Sequence, residues 1–396
     1  MLKKDNRKIK TEGSERSRRI VVAMSGGVDS SVAVALLKKQ GYFVVGVFMK
    51  FWKDPSAGSG QAGENRCCSI ESEKLARLVA KKIGIPFYVI NVEKEFKKKV
   101  VDYFLEEYKK GNTPNPCVVC NKEIKFGFLI DKALKMGADF VATGHYARTS
   151  LGNFLSLGNQ IFLGKGILPS VSLPSRSKNL LPRFFKLLKS VDKNKDQSYF
   201  LWQLNQEQLS RILFPVGGYT KPEVRALAKK LKLPTAQALE SHEVCFIQKT
   251  TNDFLKKYLK TKPGNIIDKN RKILGEHQGL HFYTIGQRKG IGLSGGPYFV
   301  VDKDFKKNNL IISKNEKDLE SQELIAKNIN WSAPQKLPIS AEVKIRYKSN
   351  FAKAKIFKAG ARKIKVVFQK PQKAITPGQS AVFYKGDNLL GGGVIE

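Results

Sequence analysis

Acidic residues are scarce in this sequence. Its 396 residues hold 34 Asp and Glu against 71 Lys and Arg, a formal net charge of +37. That exceeds what solubility needs and points to a polyanionic partner, unless the host proteome as a whole is basic. The excess runs along the whole chain, which fits a large structured nucleic acid better than one phosphate site. Aromatic-interleaved basic repeats are few, so single-strand stacking modules are not indicated. No run of about 18 apolar residues occurs, and no transmembrane helix is expected. The opening MLKKDNRKIKTEGSERSRR lacks an apolar secretory segment and reads as a disordered basic leader over 1–17. Five cysteines (67, 68, 117, 120 and 245) without a secretion signal imply a reducing cytoplasm and no structural disulfides. Four histidines (145, 242, 277 and 281) leave few options for a metal site. No solenoid repeat is present.

What is present has a clear order. From Arg18 the pattern is strand (RRIVVAM), Gly-rich turn (SGGVDSS) and helix ending at Gly41. Further strands are expected at YFVVGVFMKFW, IPFYVINV and ADFVATGHY, with helices between them. This alternation predicts an α/β fold built on a doubly wound parallel sheet. Ligands bind such sheets outside the carboxyl ends of the strands, which should gather SGGVDS, TPNPCVVC and TGHY. TPNPCVVC reads as a loop leading into a helix from about Ile124. Residues 156–190, rich in Gly, Pro, Ser and cations, read as a flexible basic insertion. The expected domains are 18–205 for the doubly wound sheet with its insertion, 206–271 for a small mixed, helical central domain, and 272–396 for a C-terminal β-barrel. Strands of that barrel are expected to include GLHFYTIGQRKG.

SGGVDS is the strongest local signal. Between a strand and a helix, its amides and the helix dipole form an anion cradle, with Gly26 and Gly27 letting the backbone approach a phosphate. Ser25, Ser30 and Ser31 add hydroxyls, and Asp29 can help hold Mg²⁺ or order the turn. It is not a Walker A loop, because GxxxxGK[ST] is absent. A C-x-x-C pair such as Cys117–Cys120 often serves zinc or redox chemistry, but a second pair or a spaced His pair is missing.

SGGVDS resembles the PP-loop of ATP pyrophosphatases. The resemblance extends through VFMKFW, TPNPCVVCNKEIKFG, ATGHYAR, NKDQSYFLWQL, FPVGGYTKPEVR, EVCFI, GEHQGLHFYTIGQRKG, RYK and TPGQSAVFYKGDNLLGGGVIE. Together these are similar to the bacterial tRNA-specific 2-thiouridylases, which replace O2 of the wobble uridine with sulfur. The resemblance implies that ATP adenylates O2 and that a cysteine persulfide then delivers sulfur, releasing AMP and pyrophosphate. Cys120 matches the nucleophile and Cys245 the persulfide carrier, with which Cys120 forms a transient disulfide. Lys122, Lys125 and Lys249 should favour their thiolates. ATP is implied at Ala23, Met24, Ser25, Gly26, Gly27, Val28, Asp29, Ser30, Met49 and Gly144. Asn115, Pro116 and Cys117 match positions around the flipped base. His145, Lys195, Asp196, Gln197, Arg346, Tyr347 and Gln379 match tRNA-contacting positions, with a core role the alternative for His145.

Cys117 stands where the family pattern has an Asp, a general acid or base. Cys117, Cys120 and Cys245 could instead hold an iron–sulfur cluster that carries sulfide, and both routes stay open. No other metal site is indicated. His277 and His281 read as structural or tRNA-facing, and Cys67 and Cys68 as bystanders. The implied partners are tRNA of the Lys, Glu and Gln acceptors and a persulfide-donor protein, such as a cysteine desulfurase or sulfur relay. A cytoplasmic monomer is expected. Other PP-loop synthetases need neither the cysteines nor the charge. A non-catalytic RNA-binding protein would not need an intact SGGVDS.

Overall fold

The computed structural model describes residues 17–54, 69–153, 183–238 and 244–396. The leader, Cys67, Cys68, His242 and most of the basic insertion lie outside the described residues. β1 (Arg19–Ala23), β2 (Phe43–Lys50), β3 (Phe87–Asn91) and β4 (Phe140–Ala142) are parallel. β5 (Ala147–Asn153) and β6 (Arg183–Lys189) leave this sheet, and β7 (Ile212–Leu213) returns beside β4. The order β3–β2–β1–β4–β7 is doubly wound, as the alternation predicts, and reverses direction between β1 and β4. Both faces of β1 are covered: Ile20, Val21 and Val22 are buried, which is why IVVA, after Arg19, is apolar throughout.

Two helices carry the loops that matter. α1 (Val28–Lys39) starts directly after the SGGVDS turn. α2 (Ile70–Ile83) is capped by the Ser69 hydroxyl, which accepts from the Ser72 amide at 3.1 Å. A helical segment over 116–135 then passes through a π-helical stretch, Asn121–Phe128. It ends where Arg19, at the start of β1, donates to the Met136 carbonyl at 2.8 Å. The helix therefore begins at the opposite, carboxyl edge of the sheet. TPNPCVVC is thus not wholly a loop. Pro116 sits in the first turn, its φ preset for a helix, and Cys117 and Cys120 share one helical face.

β8 (Gly264–Asp268), β9 (Ile273–His277), β10 (Phe299–Asp304) and β11 (Asn309–Ser313) form a separate sheet in the order β10–β11–β8–β9. The boundary expected near 272 falls inside the β8–β9 hairpin, so the C-terminal strands make two units, not one. GLHFYTIGQRKG is not a strand either. It turns through a 3-10 segment at Leu280–Phe282 and a turn closed by the Gln287 amide on the Thr284 carbonyl.

The barrel comprises β12 (Glu320–Trp331), β13 (Ile339–Lys344), β14 (Ala352–Lys358), β15 (Lys363–Lys373), β16 (Ser380–Lys385) and β17 (Asn388–Ile395). They run β12–β15–β14–β13–β16–β17, and β12 pairs with β17 to close the ring. The hairpin β5–β6 attaches to β17 through Leu187 and Leu188. RFFKLLK, expected inside the basic insertion, is therefore a strand. The strand pairs with β5 on one side and β17 on the other, and Leu187 is buried. No helix among the described residues is long and apolar enough to cross a membrane.

Candidate active site at the sheet edge

The turn after β1 meets the turn after β4 at the point where the strand order reverses. Gly26 has φ +74, and a Cβ on it would lie 2.3 Å from the Ser72 carbonyl oxygen. A Cβ on Gly144 would lie 2.6 Å from the Ser30 nitrogen. Only glycine lets both turns approach so closely. Ser30 Oγ accepts from the Ser25 amide at 3.2 Å and donates to the Gly27 carbonyl at 3.1 Å; Ser31 Oγ donates to that same carbonyl at 2.8 Å. These bonds lock the turn with Ser25 exposed at its mouth. The site fits a polyphosphate: a helix N-terminus, a glycine-permitted close approach and the exposed Ser25 hydroxyl. Met24 and Met49 are buried. Val28 is also buried, and Ala23 is half-buried.

Asp29 orders the turn. Both its oxygens accept from Lys221 Nζ, at 2.7 and 2.8 Å, and Oδ1 also accepts from the Tyr146 hydroxyl at 2.8 Å. Lys221 is buried at the first position of the helix Lys221–Lys230. A cation there opposes the helix dipole, and that mismatch is the one sequence signal that Lys221 has a distant partner. Lys221→Met should cost about 2 kcal/mol, since a charge-assisted bond is lost but Asp29 keeps some solvent. A urea midpoint equal to wild type would contradict this.

A strap over 196–200 ties the phosphate turn to the cysteine helix. Gln197 Oε1 accepts from the Tyr146 amide at 2.9 Å, and its own amide donates to the Tyr146 carbonyl at 2.8 Å. Two residues on, the Tyr199 hydroxyl donates to the Ser380 carbonyl at 3.0 Å. The Phe200 carbonyl accepts from Asn121 Nδ2 at 3.2 Å. Asp196 is an internal turn organiser, accepting from the Ser190 and Ser198 amides and from the Ser198 hydroxyl. Burial raises its pKa. The Lys195 amide donates to the Asp192 carbonyl at 3.2 Å.

The other expected nucleic-acid positions gather nearby. The Tyr347 ring packs 4.5 Å from Phe200 and 6.1 Å from Tyr199, beside exposed Arg346. His145 lies between Phe126 at 5.7 Å and Phe214 at 6.3 Å, and its Nδ1 is 2.8 Å from Thr143 Oγ1. Burial first, and then the Lys125 charge, lower its pKa well below the ordinary histidine value, so the ring is neutral at pH 7. Gln379 is turned inward and donates to the Thr113 carbonyl at 2.7 Å.

Cys120 is buried, whereas Cys117 and Cys245 are half-buried; all three are outside disulfides. Cys120 belongs to the large core cluster and Cys245 packs against it. Phe246, next to Cys245, meets Phe96 at 5.8 Å and Phe104 at 5.3 Å on the helical segment preceding the cysteine loop. Among the described residues, no three His, Cys, Asp or Glu side chains are grouped to hold a metal ion. The three cysteines thus do not form a ready cluster site. His277 is buried with Nε2 3.1 Å from the Asn308 carbonyl, a structural contact. Tyr146, Tyr199 and Lys221 are not among the expected site residues, although all three lie inside ATGHYAR, NKDQSYFLWQL and FPVGGYTKPEVR.

Three family models cover the chain: a tRNA methyl transferase HUP domain over 18–249, a tRNA methyl transferase PRC-barrel domain over 252–314, and an aminomethyltransferase beta-barrel domain over 321–395. The chain is 46% identical over 391 residues to a tRNA-specific 2-thiouridylase MnmA of Carboxydothermus hydrogenoformans, covering 96% of this chain and 98% of that one. It is 43% identical over 392 residues to the Clostridioides difficile protein of the same name, with the same coverage. The turn that fits a polyphosphate, the paired cysteines and this near full-length identity agree: the chain belongs to the family of tRNA-specific 2-thiouridylases.

Proposed function

We propose that this protein uses ATP to replace O2 of the wobble uridine of tRNA with sulfur. The observation that carries the reading is the strap: residues 197–200 bond Tyr146 beside the phosphate turn and Asn121 of the cysteine helix. A nucleotide on SGGVDS and a base beside Asn115 would then be held in one frame, as a reaction between them requires. Methyl transfer, named by two of the family models, would use neither this turn nor the cysteines.

Uridine C2=O is an unreactive urea-like carbonyl. Attack of O2 on the α-phosphorus of ATP forms an O–P bond, expels pyrophosphate and makes AMP the leaving group. The terminal sulfur of a Cys245 persulfide then attacks C2. Cys120 thiolate attacks Cys245 Sγ, the S–S bond of the persulfide breaks, and AMP departs with the C2–O2 bond. The products are 2-thiouridine and a Cys120–Cys245 disulfide, which a cellular dithiol reduces by two electrons. ATP is held by SGGVDS and Gly144, with Mg²⁺ arriving on its phosphates. Asn115, Pro116 and Cys117 face the base, and Cys117 or a water moves the proton that Asp would. The basic surface takes up tRNA, and a persulfide-bearing protein reloads Cys245.

The experiment is incubation of the protein with tRNA, ATP and a persulfide source, followed by nucleoside mass analysis. The expected result is 2-thiouridine at the wobble position, with AMP formed in step. Thiolation without ATP, or AMP without thiolation, would reject the reading.

A further inference from the structure

The loop that carries Asn115 is held from outside its own domain. From the middle sheet, Lys303 on β10 donates through Nζ to the Gly111 carbonyl at 2.8 Å. The Phe305 ring covers the same glycine, so that a Cβ there would lie 1.7 Å from the ring's Cζ. Thr284 places its hydroxyl 3.0 Å from that of Thr113. From the barrel, the Pro377 carbonyl accepts from the Thr113 amide at 2.8 Å, and Gln379 Nε2 donates to the Thr113 carbonyl at 2.7 Å. Every polar group of Thr113 is therefore bonded to another domain.

The two gripping units also touch each other. A Cβ on Gly286, in the turn after Thr284, would lie 2.6 Å from the Ala374 Cβ of the barrel. Between Thr113 and the cysteines stand Pro114 and Pro116, whose φ angles are fixed. Fixing Thr113 thus fixes the direction in which Asn115 and the first helical turn point. This gives a role to GLHFYTIGQRKG, a segment that supplies no chemistry of its own. A misplacement of about 1 Å at a reacting group can cost about a hundredfold in rate.

We propose that Thr113, Thr284, Lys303 and Gln379 are positioning residues for thiolation: middle sheet and barrel together set the pose of Asn115–Cys120 by gripping the main chain at 111–113. The proposal rests on the thiolation reading above. Its consequence is that tRNA seated on those two units acts on the cysteine helix through this loop.

Thr284→Val and Lys303→Met, singly and together, remove the grip from the middle sheet without entering the site. Thiolation is followed against tRNA concentration, and amide hydrogen exchange is followed in peptides spanning 111–120. The double variant should lose at least about tenfold in kcat with KM for tRNA within about twofold, the signature of a group that acts on the reacting geometry. Exchange at 111–117 should quicken about tenfold while β1 and β2 stay protected. Thr284→Ser keeps the hydroxyl and should restore kcat where Thr284→Val does not. Unchanged kcat, a loss confined to KM, or Thr284→Ser as impaired as Thr284→Val would overturn the proposal. If the wild type makes no 2-thiouridine, faster exchange upholds the grip and rejects the thiolation reading, while unchanged exchange rejects the grip. The single variants serve where the double variant melts.

Discussion

Cys120→Ser is expected to reduce 2-thiouridine formation at least about a thousandfold while tRNA and ATP affinities stay within about twofold, because it removes a nucleophile and no binding contact. A serine hydroxyl is not ionised at neutral pH and cannot break a persulfide. The change is small in volume, and Cys120 lies at the edge of a core that also rests on Val118, Ile124 and Phe126, so folding should persist. Cys245→Ser should give the same loss for a different reason, and mass analysis separates the two. The Cys120 variant still accepts sulfur on Cys245 and keeps it; the Cys245 variant takes none. Cys117 shares the helical face of Cys120 and is the natural rival. Thiolation retained in Cys120→Ser and lost in Cys117→Ser would exchange their roles.

Gly144→Ala and Gly26→Ala should each weaken ATP binding by at least about tenfold, since both displace the anion-binding turn. A Cβ on Gly144 would sit 2.6 Å from the Ser30 nitrogen and 2.7 Å from the Asp29 carbonyl carbon. Those are backbone atoms of the first turn of α1 and cannot swing aside. On Gly26 the clash is with the Ser72 carbonyl oxygen, in a turn pinned by the Ser69 cap, and a left-handed φ adds about 1 kcal/mol for alanine. Gly27→Ala is the informative contrast. Its Cβ would meet nothing nearer than Ser25 Oγ at 3.4 Å, so the fold should survive with an unchanged Tm. If ATP affinity still falls, the loss reports the approach of the phosphate itself. Full ATP affinity in Gly144→Ala would remove SGGVDS from the nucleotide site.

The sheet was legible because its strands are local. RIVVA and FVVGVFMK are apolar runs bounded by turn signals, and SGGVDS sits between strand and helix. The barrel showed in its alternating strands, such as KIKVVF. What escaped was long-range. RFFKLLK sits among Gly, Ser and Pro, and its partner β17 is some 200 residues away. Gln379 and Thr113 are 266 residues apart, and Lys221 and Asp29 are 192 apart. No local pattern shows that Gln379 turns inward or that Asp196 is spent on Ser190 and Ser198. The start of the cysteine helix is hard to see in sequence because Pro114 and Pro116 suggest a loop, although proline is equally at home in a helix's first turn.

The most direct test loads Cys245 with an isotopically labelled persulfide, removes the donor and adds tRNA with or without ATP in a single turnover. The account predicts labelled 2-thiouridine at the wobble position only with ATP, one AMP for each sulfur transferred, and a disulfide joining Cys120 and Cys245 in the spent protein. Label that stays on the protein in the presence of ATP and tRNA, or that reaches tRNA without AMP, would contradict it.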